Sequence, residues 1–254
     1  MRKKILAILL AVVLSVSMLP AAVSADGGEF TFDAETGTIT GYTDKSVTEL
    51  VIPAEIDGVA VTAIGDGAFY SFESLTSVTI PNGVTEIGES AFNWCKSLTS
   101  MTIPESVTMI GYEAFTYCDN LTAINVAEGN GTYVSADGVL YTKDVETLVC
   151  CPGGKNGELA IPNSVTTIGE YAFRGCSNLT SVTIPNGVAT IKGWAFLGCE
   201  SLTSLTIPKS VTTIGHQAID YCDSLTEINV ADGNSAYASA DGVLYTKDMK
   251  TLIQ

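Results

Sequence analysis

The phrase LTSVTIPNGV stands at residues 75–84 and again at 179–188, and SADGVLYTKD stands at 135–144 and again at 239–248. Both pairs lie 104 residues apart. A shorter interval sits inside this one. Aligning Val61, Val84, Val107, Val165, Val188 and Val211 gives six units of 23 residues that read V-x-x-I-x-x-x-A-F-x-x-C-x-x-L-T-x-V-x-I-P-x-x. Three units make 69 residues, and a 35-residue irregular segment completes the 104. A unit this small holds too few apolar residues to close a core alone. Units must stack, so that like residues pile into one continuous apolar column. The chain is therefore expected to form one elongated domain, although 254 residues would accommodate two globular ones.

Within a unit, L-T-x-V-x-I-P reads as a strand that Pro closes, where a missing N–H costs little. The V-T-x-I-G that follows reads as a second short strand ended by Gly. The x-x-A-F-x-x-C piece is too short for a standard helix and predicts one helical or 3₁₀ turn with Ala, Phe and Cys inward. Outside the units, residues 30–42 (FTFDAETGTITGY) read as a hairpin that caps the first repeat. Leu50-Val51-Ile52-Pro53 and Leu159-Ala160-Ile161-Pro162 supply strands in the same register as Val182, Ile184 and Pro185. Residues 139–141 and 147–151 flank Lys143-Asp144 as a second hairpin, and EGNGTYVSADG (128–138) reads as a loop.

The strand phrase L-x-x-V-x-I-P resembles a leucine-rich repeat strand with Val and Ile in place of two leucines. The whole unit, as in VTTIGEYAFRGCSNLTSVTIPNG (165–187), resembles the BspA-like, or Treponema pallidum-type, leucine-rich repeat of bacterial surface proteins, and GVLYTKDVETLVCCPGGKNGELAIPNSVTTIG (138–169) is close to the same wording. The resemblance covers nearly all of the chain after its leader. It implies an α/β, β-rich, right-handed solenoid with a concave parallel sheet, short second strands and short turns, in a secreted or surface-attached protein that adheres to a host or binds a partner. Set on that frame, residues 1–25 are a signal peptide, 26–60 an N-terminal cap, 61–129 repeats 1–3, 130–164 the irregular hairpin-containing segment, 165–233 repeats 4–6 and 234–254 an incomplete hairpin segment.

The leader is read from Arg2, Lys3 and Lys4, an apolar run over 5–19, and Val23-Ser24-Ala25 before the cleavage point. Its removal takes three of the 12 basic residues and none of the 28 acidic ones, leaving nine against 28, a formal charge of −19. Such a surface disfavours nucleic acid, and no further apolar run predicts membrane insertion after cleavage. The seven cysteines do not form a disulfide framework. Cys95 and Cys118, Cys176 and Cys199, and Cys199 and Cys222 are each 23 apart, the spacing of the repeat itself, and Cys150-Cys151 are adjacent. Phe72 occupies the same column in the first unit, so the column is expected to be a buried line of reduced thiols acting as small hydrophobes.

No catalytic constellation is visible. His216 is the single histidine, so neither a nucleophile–base pair nor a histidine metal site is expected, and no cofactor is implied. Asp232-Gly233-Asn234 lacks the spacing of a calcium loop. Trp94, Tyr117 and Tyr221 share the column before Cys, where Gly175 and Gly198 stand in other units; they read as a cover for the turn or as an exposed aromatic patch. The candidate binding residues lie on the outward face of the main strands: Thr76, Ser77 and Thr79; Thr99, Ser100 and Thr102; Thr122 and Asn125; Thr180, Ser181 and Thr183; Thr203, Ser204 and Thr206; Thr226 and Asn229. A rigid hydroxyl ladder suits a protein or glycan partner held through many weak contacts. The alternative is a spacer or targeting module with no ligand of its own. The second 104-residue copy stops at Gln254 without the returning strand of the first, so a longer array, or a contact at the C-terminal end, is expected.

Overall fold

A computed structural model describes residues 29–253; the leader lies outside the described residues. The chain winds as a stack of coils, each contributing a short second strand of V-T-x-I-G type to a common ladder. Thr38–Tyr42, Ala63–Ile64, Glu86–Ile87 and Met109–Ile110 pair in parallel, with Phe30–Asp33 antiparallel at the outer edge as the expected hairpin. Ile39, Ile64, Ile87 and Ile110 fall opposite one another. Beyond the irregular segment Thr147–Cys150, Thr167–Ile168, Thr190–Ile191 and Thr213–Ile214 repeat the pattern, with Leu148 in the Ile column. The strands of L-T-x-V-x-I-P type are also parallel but come as four two-stranded pieces. Glu49–Val51 pairs with Ser77–Thr79, Ser100–Ile103 with Ala123–Val126, Gly157–Ala160 with Leu179–Thr183, and Ser204–Ile207 with Glu227–Val230. Leu50 and Leu159 take the register expected of them, opposite Val78 and Val182.

The A-F turn is not a helix, and no helix occurs among the described residues. Two residues per turn have left-handed backbones, one before Ala and one before Cys: Ser90 and Trp94 (φ 54° and 65°), Glu113 and Tyr117 (57° and 56°), Tyr171 and Gly175 (58° and 73°). A right-handed helix cannot contain either, because φ > 0 brings Cβ against the following carbonyl. The amides instead point along the stack. Phe69 N donates to Ala91 O, Phe92 N to Ala114 O, Phe173 N to Ala195 O and Phe196 N to Ala218 O, at 2.7–2.8 Å. This coil-to-coil ladder satisfies buried backbone that a single turn could not satisfy by itself.

Stacking buries the Phe column as a pile of rings, with centroids 5.1 Å apart for Phe69–Phe92 and 4.7 Å for Phe173–Phe196. Each such ring contributes about 1.5–3 kcal/mol by leaving water. The Gly after Ile is forced by the same close stacking. A Cβ on Gly111 would lie 2.4 Å from Glu89 N, and one on Gly215 would lie 2.3 Å from Gly193 N.

Two further expectations need correction. Residues 128–138 are not wholly loop: Tyr133–Ala136 pairs antiparallel with Val139–Thr142, which pairs with Thr147–Cys150, so the segment holds a three-stranded meander. Buried Asn130 enables this. Its Nδ2 donates to Pro104 O (2.7 Å) and Val107 O (3.0 Å), and its Oδ1 accepts from Thr132 N and Tyr133 N, fixing the start of the meander on the preceding coil. The apolar column is also not continuous. It divides at Val139–Thr142, which sends Leu140 into the first core while Val139 and Tyr141 enter the second. A strand with one face in each array separates them as a partition.

Candidate functional site

The alternation of the main strands places Val78, Met101, Ile124, Val182, Leu205 and Ile228 inward. It leaves Ser77, Thr79, Ser100, Thr102, Asn125, Thr183, Ser204, Thr206 and Asn229 exposed, with Ser181 half-buried. The structure thus brings the candidate residues onto one face. It also divides them into two chemical classes. Thr76 donates its hydroxyl to Thr48 O (2.8 Å), Thr99 to Thr76 O, Thr122 to Thr99 O (both 3.3 Å), and Thr203 and Thr226 to Thr180 O and Thr203 O (both 3.4 Å). This column ties coil to coil. The remaining candidates make no side-chain hydrogen bond to a described residue. The sequence reading did not separate the two classes.

A twin column on the second sheet was also missed: Thr85 donates to Thr62 O (3.2 Å), Thr108 to Thr85 O and Thr212 to Ala189 O (both 3.4 Å). The main face is interrupted between the arrays, where the Lys155–Asp137 ion pair (3.3 Å) stands in a depression also lined by Thr122 and Glu158. A second shallow depression, on the first array, lies among Thr79, Thr102, Asn82 and Pro104.

The thiol column forms as expected in four of five positions. Cys95, Cys118, Cys176 and Cys199 are buried, whereas Cys222 is only half-buried, with no complete coil over it among the described residues. Cys95 Sγ lies 3.2 Å from Phe69 O, and Cys118 Sγ lies 3.1 Å from Phe92 O, so each thiol donates to the coil before it. Burial pushes the Cys95 thiol up to about 12, which suppresses the thiolate and its nucleophilicity.

The aromatic residues occupy a turn edge. Trp94 and Tyr117 meet at 5.0 Å, and Tyr117 lies against Gly175, where a Cβ would come within 2.7 Å of its ring. Gly175 therefore makes room for the tyrosine, while Tyr221 stands alone and 72% exposed. A second row went unrecognised in the sequence: Tyr112, Tyr171, Trp194 and His216 touch in order along the stack. Tyr171 and Trp194 lie parallel within 3°, so their faces are turned to each other rather than outward. His216 is exposed, as expected of a loop position. Arg174 crosses from the second array to pair with Glu113 of the first, and it lies over both Tyr117 and Tyr171. Burial raises the Glu113 carboxyl above its ordinary range, against the opposing pull of Arg174.

Among the described residues no group of three or more His, Cys, Asp or Glu is arranged to hold a metal ion, and no helix is long and apolar enough to cross a membrane. The geometry of the described residues offers surfaces for contact.

Similar proteins share this coil. A solved leucine-rich repeat protein from Eubacterium ventriosum is 28% identical, with a TM-score of 0.56, over 76% of this chain and 65% of its own. A leucine rich cell surface protein from Faecalibacterium prausnitzii is 32% identical, with a TM-score of 0.52, over 89% of this chain and 59% of its own. The leucine rich repeat protein of T. pallidum is 27% identical, with a TM-score of 0.50, over 77% of this chain and 86% of its own. The chain thus spans less than two thirds of the length of the first two. No curated protein matches the sequence. The model of the BspA type leucine rich repeat region matches residues 40–153 and 150–241, in six copies. By that match, over most of its length, the chain belongs to the BspA-type leucine-rich repeat family.

Proposed function

We propose that this is an exported, cell-surface recognition protein that holds a protein or glycan partner against the free half of its hydroxyl face. The observation that carries this reading is the division of the face. One threonine column is committed to coil-to-coil bonds, while Ser77, Thr79, Ser100, Thr102 and Asn125, with their counterparts in the second array, present unengaged donors and acceptors at the coil spacing. Each contact is weak, but a partner with a matching repeat engages several at once and gains by effective concentration. The leader sequence and the surface location of a Faecalibacterium relative support export.

The spacer reading draws on the committed column, which is what a stiff, ligand-free arm requires. The two are separated by screening the mature chain against glycan arrays and matrix proteins. A hit that is lost when Thr79, Thr102 and Thr183 are changed together to Lys, with the melting temperature unchanged, supports recognition by this face. No hit, or a hit indifferent to those changes, returns the face to a solvated surface.

A further inference from the structure

The coil formed by Thr147–Cys150 and Cys151 is two residues shorter in its turn than any of its neighbours. Leu148 occupies the Ile column, opposite Ile168. Cys151 occupies the Phe column, because its N–H donates to Ala172 O at 2.7 Å as Phe173 N does to Ala195 O. From Ile110 to Phe115, or from Ile168 to Phe173, the chain advances five residues; from Leu148 to Cys151 it advances three. The two absent residues are those that would stand between Tyr112-Glu113 of the coil before and Glu170-Tyr171 of the coil after. A recess of about 150 Å³ opens there.

Ile110, Phe115, Val149 and Cys150 give it apolar lining. Tyr112 and Tyr171 both line it and meet each other edge to face, with centroids 6.0 Å apart. Glu113 also lines it, but both of its oxygens are engaged, one by Arg174 and the other by Asn93 Nδ2 at 3.2 Å. Thr116, Thr147, Glu170 and Lys192 also line it, and neither the Glu170 nor the Lys192 side chain bonds to another described residue. The lining therefore offers an unused carboxylate at Glu170 and an unused ammonium at Lys192 beside an apolar surface. Cavities of about this volume with apolar walls take up benzene.

We propose that this recess is a binding site for a phenolic ring, either a tyrosine side chain of a polypeptide or a free phenol. The ring lies against Phe115 and Val149, beside the touching Tyr112–Tyr171 pair, where aromatic pairs favour offset or edge contacts. A hydroxyl suits this lining because it can donate to a carboxylate such as that of Glu170 and accept from an ammonium such as that of Lys192. The inference goes beyond the partner-binding reading, concerns a different edge of the solenoid, and stands or falls separately from it.

The test is a nuclear magnetic resonance titration of the mature chain with p-cresol, N-acetyltyrosine methylamide, N-acetylphenylalanine methylamide and methyl glucoside. Saturable shifts confined to Val149, Ile110 and Phe115 are expected with p-cresol. Equal binding of the tyrosine amide identifies a polypeptide side chain as an admissible source; exclusion of that amide identifies a free phenol. Glu170→Gln should weaken p-cresol about tenfold, the loss of one charge-assisted hydrogen bond. Val149→Trp should fill the recess and abolish binding while leaving the hydroxyl face unchanged. Should Val149→Trp fail to fold, the Glu170→Gln titration decides. Absence of saturable shifts with p-cresol, binding that survives a folded Val149→Trp, phenylalanine amide binding better than both phenols, or preference for the glucoside overturns the proposal.

Discussion

Several residues 104 apart in this chain are chemically identical and physically different. Cys118 and Leu121 are fully buried; their counterparts Cys222 and Leu225 are half-buried. Tyr141 is 1% exposed, and Tyr245 is half-exposed. The first of each pair lies beneath a following coil, and the second lies in the last described turns. Asn130 and Asn234, by contrast, keep the same four hydrogen bonds: Asn234 reaches Pro208 O and Val211 O at 2.8 and 3.0 Å, and it receives Ala236 N and Tyr237 N. Burial in the stack is therefore a property of the next coil, whereas polar anchoring is a property of the coil before.

The comparison can be broken at several points. Burial holds the Cys118 thiol well above its ordinary range, while the hydrogen bond from Cys199 lowers that of half-buried Cys222. At pH 8 an aromatic disulfide reagent should find Cys222 about 100-fold or more faster than Cys118, and Cys222→Ser should remove the fast phase. A single slow phase for every thiol would mean that Cys222 is covered after all. In stability, Tyr141→Ala should cost about 3–5 kcal/mol and Tyr245→Ala about 1 kcal/mol by denaturant titration; equal losses would erase the difference between the copies. Asn130→Ala and Asn234→Ala should each cost about 2–3 kcal/mol, since each strands buried backbone groups, and unequal costs would show that anchoring also depends on the next coil. The smallest contrast lies on the outward face. Thr99→Ala should cost about 0.5–1 kcal/mol through its bond to Thr76 O, and Thr102→Ala close to nothing.

The columns were legible because every coil repeats one solution. Ile64, Ala68, Phe69 and Leu75 recur in place in the next unit, and so their inward direction follows from stacking alone. The strands at Leu50 and Leu159 were legible by the same register. The left-handed backbone at Trp94 and Tyr117 was hidden, because an aromatic side chain does not announce φ > 0. The only trace was that Gly175 and Gly198 share their column, and glycine adopts that conformation at least cost. The split within the hydroxyl face also left a trace. That column is Thr in all six units, five of which make the bond, whereas the next position varies through Ser77, Ser100, Ala123 and Glu227. A position that must reach a carbonyl on the coil before tolerates one side chain; a position facing water tolerates several. The strand Tyr133–Ala136 escaped because its pairing depends on Asn130, whose partners lie 23 and 26 residues earlier. The missing pair of turn residues could be counted only once Cys151 was placed in the Phe column by its hydrogen bond.

A Phe-column amide ladder that runs between regular coils and is interrupted at the short coil is the feature most open to test. The Phe69, Phe92, Phe173 and Phe196 amides each donate to the next coil, whereas the Phe115 amide, facing the short coil, makes no corresponding bond among the described residues. Amide hydrogen exchange resolved by residue tests this most directly. Phe92, Phe173 and Phe196 should exchange slowly, near the limit set by global unfolding, and Phe115 should exchange at least about 100-fold faster through local opening. Protection of Phe115 equal to that of Phe92 would contradict the account, because it would place an unbroken ladder where a gap is described.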